Sequence, residues 1–241
     1  MQLVINAGNK LPAEYVPHLE ETVTGSGVYL ERQAAEAFME MYKAALGQGL
    51  TLTPHSGYVS FDRQQSKYDA LVKTYQDMGY SEAEAQALAA RKVLPAGCSE
   101  HNAGLAVDLG SNTADFKDTA EYKWLVKNAA NFGFIERYTE DFEDETGVEA
   151  APWHWRYVGS AAMAEAINDS DMSFEEWMYY EYPYWEDPEA TEEDATEETT
   201  EAATESDEED TSDADAEEDT TSVEGVPEEE ATTVVIDLDA M

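Results

Sequence analysis

The acidic side chains of this 241-residue chain are distributed unevenly, and their distribution limits the part that can fold. Residues 186 to 241 contain 25 of the 54 Asp and Glu residues and no Lys or Arg. Thr, Ala and Ser supply most of the remainder, so the segment has too little apolar surface to offset the entropy lost on ordering. We therefore predict a disordered acidic tail over 186–241 and a single globular domain before it.

The charge balance disfavours two classes of partner. The chain has a formal net charge of −41 and no cluster of Lys and Arg, which disfavours nucleic acid and anionic membrane surfaces. No apolar run approaches the roughly 20 residues that span a bilayer, so we expect no membrane insertion, and no signal peptide is visible. The one cysteine, Cys98, rules out a disulfide framework within the chain. The tail either keeps the protein soluble or binds cations or a basic partner, and residues 233–238 could form a docking strand.

Hydrophobic periodicity predicts an α+β fold. Apolar residues recur at intervals of three and four in some segments and alternate in others. The predicted helices cover 31–46, 61–78, 82–91, 120–131 and 161–167, and the predicted strands cover 50–53, 105–109 and 153–158. Capping-box spacing at Ser81 marks the start of the helix over 82–91, and the same spacing at Ser173 marks one further helix start. The Gly- and Pro-containing segment 6–27 indicates an irregular arm. Helices and short strands in mixed order are typical of α+β domains.

Two segments carry the residues most suited to chemistry: Ser99-Glu100-His101-Asn102-Ala103-Gly104-Leu105-Ala106-Val107-Asp108 and Pro152-Trp153-His154-Trp155-Arg156-Tyr157. Two imidazoles and one carboxylate are a recurring ligand set for catalytic Zn²⁺. Asp108 lies in an apolar strand, where an unpaired carboxylate is costly and a nearby cation removes that cost. By residue type alone, a purely structural His–Asp pair remains an alternative.

The pattern Ser-x-His-x-x-Gly-x-Ala-x-Asp followed by Pro-Trp-His-x-Arg-Tyr resembles the zinc D-alanyl-D-alanine carboxypeptidases of the VanY-like type. The resemblance extends to Ser56-Gly57-Tyr58-x-Ser60-x-x-x-Gln64, to Gly133-Phe134-Ile135-x-Arg137-Tyr138 and to Thr146-Gly147, and it covers about residues 10 to 165. It implies a Hedgehog/DD-peptidase-like domain, a small antiparallel sheet with flanking helices. It also implies hydrolysis of the terminal D-Ala of peptidoglycan stem peptides.

The resemblance further implies which residues form the site. Zn²⁺ is held by His101, Asp108 and His154. The substrate-binding candidates are Ser99, Tyr58, Ser60, Gln64, Arg137 and Arg156. For the two arginines, an ion pair with a neighbouring acid is the alternative. Composition and sequence pattern, taken with the resemblance, predict an N-terminal arm packed on the domain (1–30), the VanY-like zinc peptidase domain (31–168), an aromatic helical extension (169–185) and the acidic tail (186–241).

The chain departs from the family pattern at two positions. In the family, a Glu three residues before the last zinc-binding His takes a proton from the attacking water, and this chain has Ala151 there. Relatives also carry an Arg for the substrate carboxylate where this chain has Val59. Because general acid–base catalysis is worth roughly 10²- to 10⁴-fold, losing the base predicts a large rate defect in an intact fold.

Nearby residues are candidates to replace the missing groups. Glu149 is two positions before Ala151 and, in an extended segment, points to the same side about 7 Å away, given a rise of ~3.3 Å per residue. Arg63, four residues after Val59, lies one helical turn along if the helix begins near Ser60. Glu149 is a weak substitute, since proton transfer across that distance needs a loop shift or a bridging water.

Two functions therefore remain open. The first is a catalytically impaired D-Ala-D-Ala carboxypeptidase, and the second is a non-catalytic zinc-containing module that binds peptidoglycan peptides. A third alternative is that one or both replacements were engineered to trap a substrate. The family resemblance implies an extracellular or cell-wall-associated location in a bacterium.

Overall fold

The computed structural model describes residues 4–181, which form an α+β domain. The predicted acidic tail, the docking strand at 233–238 and the end of the aromatic extension lie outside the described residues. The helices are α1 (Arg32–Leu46), α2 (Phe61–Asp77), α3 (Glu82–Ala90), α4 (Ala120–Asn128), α5 (Glu143–Thr146), α6 (Ala161–Asn168) and α7 (Phe174–Glu181). The strands are β1 (Leu19–Glu21), β2 (Tyr29–Glu31), β3 (Pro54–Ser56), β4 (Ala106–Leu109), β5 (Phe134–Glu136) and β6 (His154–Tyr157).

The central sheet has four antiparallel strands in the order β3-β4-β6-β5. Its two middle strands, β4 and β6, are buried along their whole length. Successive side chains of a strand point to opposite faces, so the register of β4 and β6 separates the side chains of the sheet into two sets. Val107 lies opposite Trp155 on one face, and Asp108 lies opposite His154 on the other.

The first of these faces packs against the main hydrophobic core. Phe38 and Met41 of α1 are fully buried in one cluster with Val107 and Trp155. A second cluster joins Ile135 of β5 with apolar residues of α6 and α7. Burial of both clusters fixes the sheet between helices, and the polar face of β4 and β6 is left for the site.

Sequence signals located most helices to within a few residues. The capping box at Ser81 is present, and Ser173 and Glu176 exchange the same pair of hydrogen bonds at the start of α7. The predicted helix over 120–131 consists of α4 followed by a 3-10 turn, Ala129–Phe132. Gly133 ends this turn with a positive φ of 78°. No helix among residues 4–181 is both long and apolar enough to span a membrane.

Four short strands differ from the expectations. Strand β1 lies in the predicted irregular arm and pairs with β2, which follows that arm, from Leu19 with Glu31 to Glu21 with Tyr29. The strand predicted over 50–53 lies instead at Pro54–Ser56, since the chain pairs there with β4 across an irregular register. β5 was not predicted as a strand at all.

Candidate metal centre

The register of the central sheet brings two of the three candidate ligands together. Asp108 and His154 are directly opposite each other, and Nδ1 of His154 lies 3.0 Å from Oδ1 of Asp108. Residues opposite each other in an antiparallel pair have Cβ atoms about 4.5–5.5 Å apart, which suits two ligands of one ion. Both side chains are buried.

The third candidate, His101, lies on a 3-10 turn that precedes β4. The turn Glu100–Ala103 begins at Ser99, whose hydroxyl accepts a hydrogen bond from the backbone N–H of His101 at 3.3 Å. Gly104 ends the turn with φ 67°, and a Cβ there would lie 2.6 Å from the backbone nitrogen of Glu31. Because only glycine fits this close approach at positive φ, Gly104 fixes where His101 leaves the backbone.

The three side chains converge. Nε2 of His101 lies 3.3 Å from Oδ2 of Asp108, and one donor atom from each of His101, Asp108 and His154 falls within 4.8 Å of the others. Burial alone raises the pKa of the Asp108 carboxyl, but the adjacent imidazoles outweigh burial and hold this pKa well below its usual range. Asp108 is therefore an anion ready to bind a cation.

The outer ring nitrogen of each histidine has its own acceptor. Nδ1 of His101 lies 2.6 Å from the backbone oxygen of Gly57, and Nε2 of His154 lies 3.1 Å from Oε2 of Glu100. Burial by itself lowers the pKa of His154. The hydrogen bonds of His154 to Asp108 and Glu100 outweigh burial and raise its pKa to about 9. Metal-binding histidines commonly donate their second N–H to a carbonyl or carboxylate, which fixes the tautomer and the ring orientation.

The donor set fits zinc. Two imidazole nitrogens and one carboxylate oxygen leave a coordination position open, as in catalytic rather than structural sites. The outer acceptors leave Nε2 of His101 and Nδ1 of His154 facing Asp108, so each histidine presents one nitrogen to the centre.

The two positions predicted to depart from the family pattern lie beside this centre. The backbone nitrogen of His154 donates to the oxygen of Ala151 at 2.9 Å, so a tight turn holds Ala151 next to the ligand. Ala151 is buried in a small cluster with Tyr138 and Val148. Val59 is also buried, and its backbone nitrogen donates to the oxygen of His101 at 3.1 Å.

The proposed substitute base, Glu149, is engaged by cations. Its carboxylate lies 2.6 Å from Nζ of Lys92 and 3.8 Å from Nε of Arg91. These ion pairs hold the carboxylate against the loop that follows α3. Its role as a base stays a prediction.

The upstream substrate candidates have mixed surroundings. Ser60 caps α2 by accepting from the backbone nitrogen of Arg63, and both residues are exposed. Gln64 is buried and donates to the oxygen of Leu94 at 2.6 Å, which ties α2 to the loop before the site. Tyr58 is partly buried, and its backbone nitrogen donates to the oxygen of Tyr29. Their contact with a substrate stays a prediction.

A buried ionic cluster lies behind His154, and sequence reasoning did not assign its central residue, Glu100. Oε1 of Glu100 accepts from Nε of Arg137 at 2.9 Å and lies 3.6 Å from NH1 of Arg156. The side chains of Glu100, Arg137 and Arg156 are all 0% exposed. Both guanidiniums therefore face a protein carboxylate and not solvent. The sequence signal that could have identified Glu100 is its position next to His101, within the motif that was interpreted only for its metal ligands and Ser99.

Known protein families include one whose model matches the middle of the chain. The model for VanY, D-alanyl-D-alanine carboxypeptidase, matches residues 27–160. A D-alanyl-D-alanine carboxypeptidase of Enterococcus faecalis (strain ATCC 700802 / V583) is 35% identical over 176 residues, which cover 73% of this chain and 65% of that protein. A putative carboxypeptidase of Bacillus subtilis (strain 168), YodJ, is 39% identical over 155 residues, covering 62% of this chain and 53% of that protein. The chain thus spans between about half and two thirds of these relatives.

Solved structures give the same result for the fold. VanYB in complex with D-alanine-D-alanine superposes with a TM-score of 0.66 at 35% identity and covers 75% of this chain and 98% of that chain. A mutant vancomycin-resistance D,D-pentapeptidase VanY in complex with Zn(II) has a TM-score of 0.63, also at 35% identity, covering 73% and 98%. The predicted family and the α+β fold are confirmed.

Proposed function

Because the chain belongs to the VanY family of D-alanyl-D-alanine carboxypeptidases, we propose that it binds Zn²⁺ through His101, Asp108 and His154 and acts on peptidoglycan stem peptides ending in D-Ala-D-Ala. The observation that carries this proposal is the convergence of three donor atoms within 4.8 Å of one another. Relatives solved with D-alanine-D-alanine and with Zn(II) support the choice of substrate and metal.

Zinc would supply Lewis-acid chemistry, polarising the scissile carbonyl and activating water. The protein's own residues orient the ligands: Gly57 and Glu100 fix the two imidazoles from outside, and Ser99 sets the turn that carries His101. Of the substrate candidates, Ser99 is adjacent to that turn. The buried Arg137 and Arg156 act on a substrate only if their contacts with Glu100 rearrange.

Proton transfer is the weak part of this site. The methyl group of Ala151 can neither accept nor donate a proton, and Glu149 is held by Lys92 and Arg91. A missing general base is worth roughly 10²- to 10⁴-fold in rate. We infer that this chain hydrolyses the peptide slowly, by a route in which water or a displaced Glu149 takes the proton.

A second candidate function is favoured by the pair of replacements. Ala151 and Val59 affect proton transfer and carboxylate binding separately, while the metal donors remain. Under this alternative the protein is a non-catalytic module that binds a peptidoglycan peptide through the metal centre. It would bind a D-Ala-D-Ala peptide tightly enough to detect and release no D-Ala.

Restoring the carboxylate separates the two candidates. We expect Ala151→Glu to increase D-Ala release from a D-Ala-D-Ala peptide by about 10²-fold or more, because it returns a base beside the metal centre. Ala150→Glu is the matched control, since it adds the same charge one position away from the site. Release and zinc content are measured for each protein.

The outcomes are distinct. Slow release by the unchanged chain, accelerated by Ala151→Glu alone, supports the impaired enzyme. Zinc and peptide binding without release by the unchanged chain supports the binding module. Absence of bound zinc in every variant contradicts the ligand assignment itself.

We propose an extracellular or wall-associated location, since the substrate of the proposed reaction lies there. Cell fractionation with detection of the protein in the wall fraction tests this location, and recovery in the cytoplasmic fraction alone contradicts it.

A further inference from the structure

A continuous ionic path leads from the metal centre to the last described helix. His154 contacts Glu100 through Nε2, and Glu100 contacts Arg137 at 2.9 Å. The NH2 group of Arg137 then donates to Oε1 of Glu175 on α7. Nδ2 of Asn6 donates to the same carboxylate oxygen at 3.2 Å. Three side chains, those of Glu100, Arg137 and Glu175, therefore separate the candidate ligand His154 from the N-terminal segment.

The outer end of this path comes from both flanks of the family domain. The VanY model matches residues 27–160, and neither Asn6 nor Glu175 falls within it. Glu175 is one residue after the start of α7, and Phe174 beside it packs against both guanidiniums, with its ring centroid 5.4 Å from the Cζ atom of Arg137. The two flanking segments thus meet at the buried arginine pair.

Charge explains why the outer carboxylate matters to the inner one. Glu100 is fully buried and faces two guanidiniums and one imidazole. Glu175 supplies a second carboxylate to Arg137, and its side chain is 21% exposed. Without that charge, Arg137 would lose the Glu175 carboxylate and draw more strongly on Glu100, because a buried cation has no solvent to stabilise it. Glu100 would then be a poorer acceptor for His154.

We propose that Glu175, held by Asn6, is a positioning residue for the metal centre, and that it acts through Arg137 and Glu100 to fix the His154 ring. This inference rests on the proposed function, since it assumes that His154 binds zinc. It assigns a role to the two segments outside the residues that match the family model. These segments supply a negative charge to the arginines next to His154, and they also cover the core.

The test measures metal affinity directly. Glu175→Gln keeps the shape of the side chain and removes its charge. We expect the Zn²⁺ affinity of this variant to fall about tenfold, the low end of the loss that follows mutation of a residue supporting a metal ligand. Competition with a chromophoric chelator measures the affinity. The visible spectrum of the Co²⁺-substituted protein should change as well, because the orientation of His154 changes.

A matched control separates positioning from loosening of the helix. Glu176→Gln makes the same charge change on the neighbouring residue, which bonds Ser173 in the capping box and not Arg137. We expect it to leave the affinity and the Co²⁺ spectrum unchanged. Equal losses in both variants would overturn the proposal, because helix docking alone would then explain them.

A second variant covers the case in which Glu175→Gln does not fold. Asn6→Asp keeps the oxygen that accepts from the backbone nitrogens of Gly8 and Asn9, and it replaces the donor to Glu175 with a negative charge. We expect a smaller loss of Zn²⁺ affinity in the same direction. If the unchanged chain binds zinc and both folded variants bind it equally well, the positioning role is wrong and the metal site stands. If the unchanged chain binds no zinc, both proposals fail.

Discussion

Gly57 shows how one residue without a side chain supports the metal centre. A Cβ at this position would lie 2.3 Å from the backbone oxygen of Tyr29 and 2.8 Å from Cγ1 of Val28. The backbone oxygen of Gly57 in turn lies 2.6 Å from Nδ1 of His101. The close approach of Tyr29 therefore determines where the carbonyl that orients His101 lies.

Gly57→Ala should weaken both the fold and the metal centre. Inserting a methyl group where neighbours cannot yield typically costs about 1–3 kcal/mol, so the free energy of unfolding should fall by that amount. The displaced carbonyl should also lower Zn²⁺ affinity. Gly47→Ala, at the end of α1, is the control, since its φ is −62° and the nearest atom lies 3.4 Å from the new Cβ. Unchanged zinc affinity in Gly57→Ala, measured by chelator competition, would contradict the role of this carbonyl.

The sequence identified the residues with distinctive chemistry and missed their supports. His101, Asp108 and His154 stand out because imidazoles and a carboxylate in an apolar context need an explanation. Gly57 contributes through its backbone oxygen, which every residue possesses, and Glu100 is one of 54 acidic residues. Only the fold distinguishes the buried Glu100 from the acidic residues that are exposed in the described part of the chain.

At the scale of elements, α7 packs on the domain through its buried residues, one of which is Phe174. Phe174 is 2% exposed and packs in the cluster formed by β5, α6 and α7. Its ring also faces the guanidiniums of Arg137 and Arg156, with centroid distances of 5.4 and 5.7 Å. An aromatic ring over a buried cation adds electrostatic attraction to the hydrophobic contact.

Phe174→Ala should therefore destabilise the protein by about 3–5 kcal/mol, the usual cost of removing a buried aromatic ring. Tyr179→Ala, on the same helix, removes a ring that is 74% exposed and should cost less than about 0.5 kcal/mol. Chemical denaturation in the presence of chelator measures both without a contribution from metal. Similar costs for the two variants would mean that α7 is not held by this contact.

Element prediction succeeded where a periodic pattern was long enough. α1 and α2 have 15 and 17 residues, so their apolar stripes repeat several times. β3 and β5 have three residues each, too few to show alternation, and β3 begins with Pro54. Their strand geometry depends on pairing with β4 and β6, which are distant in sequence. Local propensity carries little information about such pairing.

At the scale of the whole molecule, the candidate metal centre joins segments that the chain separates widely. Gly57 follows β3, His101 precedes β4, Asp108 lies on β4, and His154 lies on β6. The domain also has a strong excess of acidic residues, whose mutual repulsion opposes compaction. A divalent cation bound to these distant segments would stabilise the folded state alone, because the unfolded chain does not hold the three donors together.

Zinc should accordingly raise the melting temperature. At a free zinc concentration 100 times the Kd, mass action stabilises the folded state by about 2.7 kcal/mol. For a domain of this size, roughly 2–4 °C per kcal/mol gives an increase of about 5 to 10 °C over the chelator-treated protein. Asp108→Asn should abolish this zinc-dependent increase, because an amide oxygen is a far weaker ligand than a carboxylate. Asp115→Asn, a matched change at an exposed residue, should retain it. Thermal denaturation with zinc and with chelator measures the increase for each protein, and a full increase in Asp108→Asn would show that the stabilising metal is bound elsewhere.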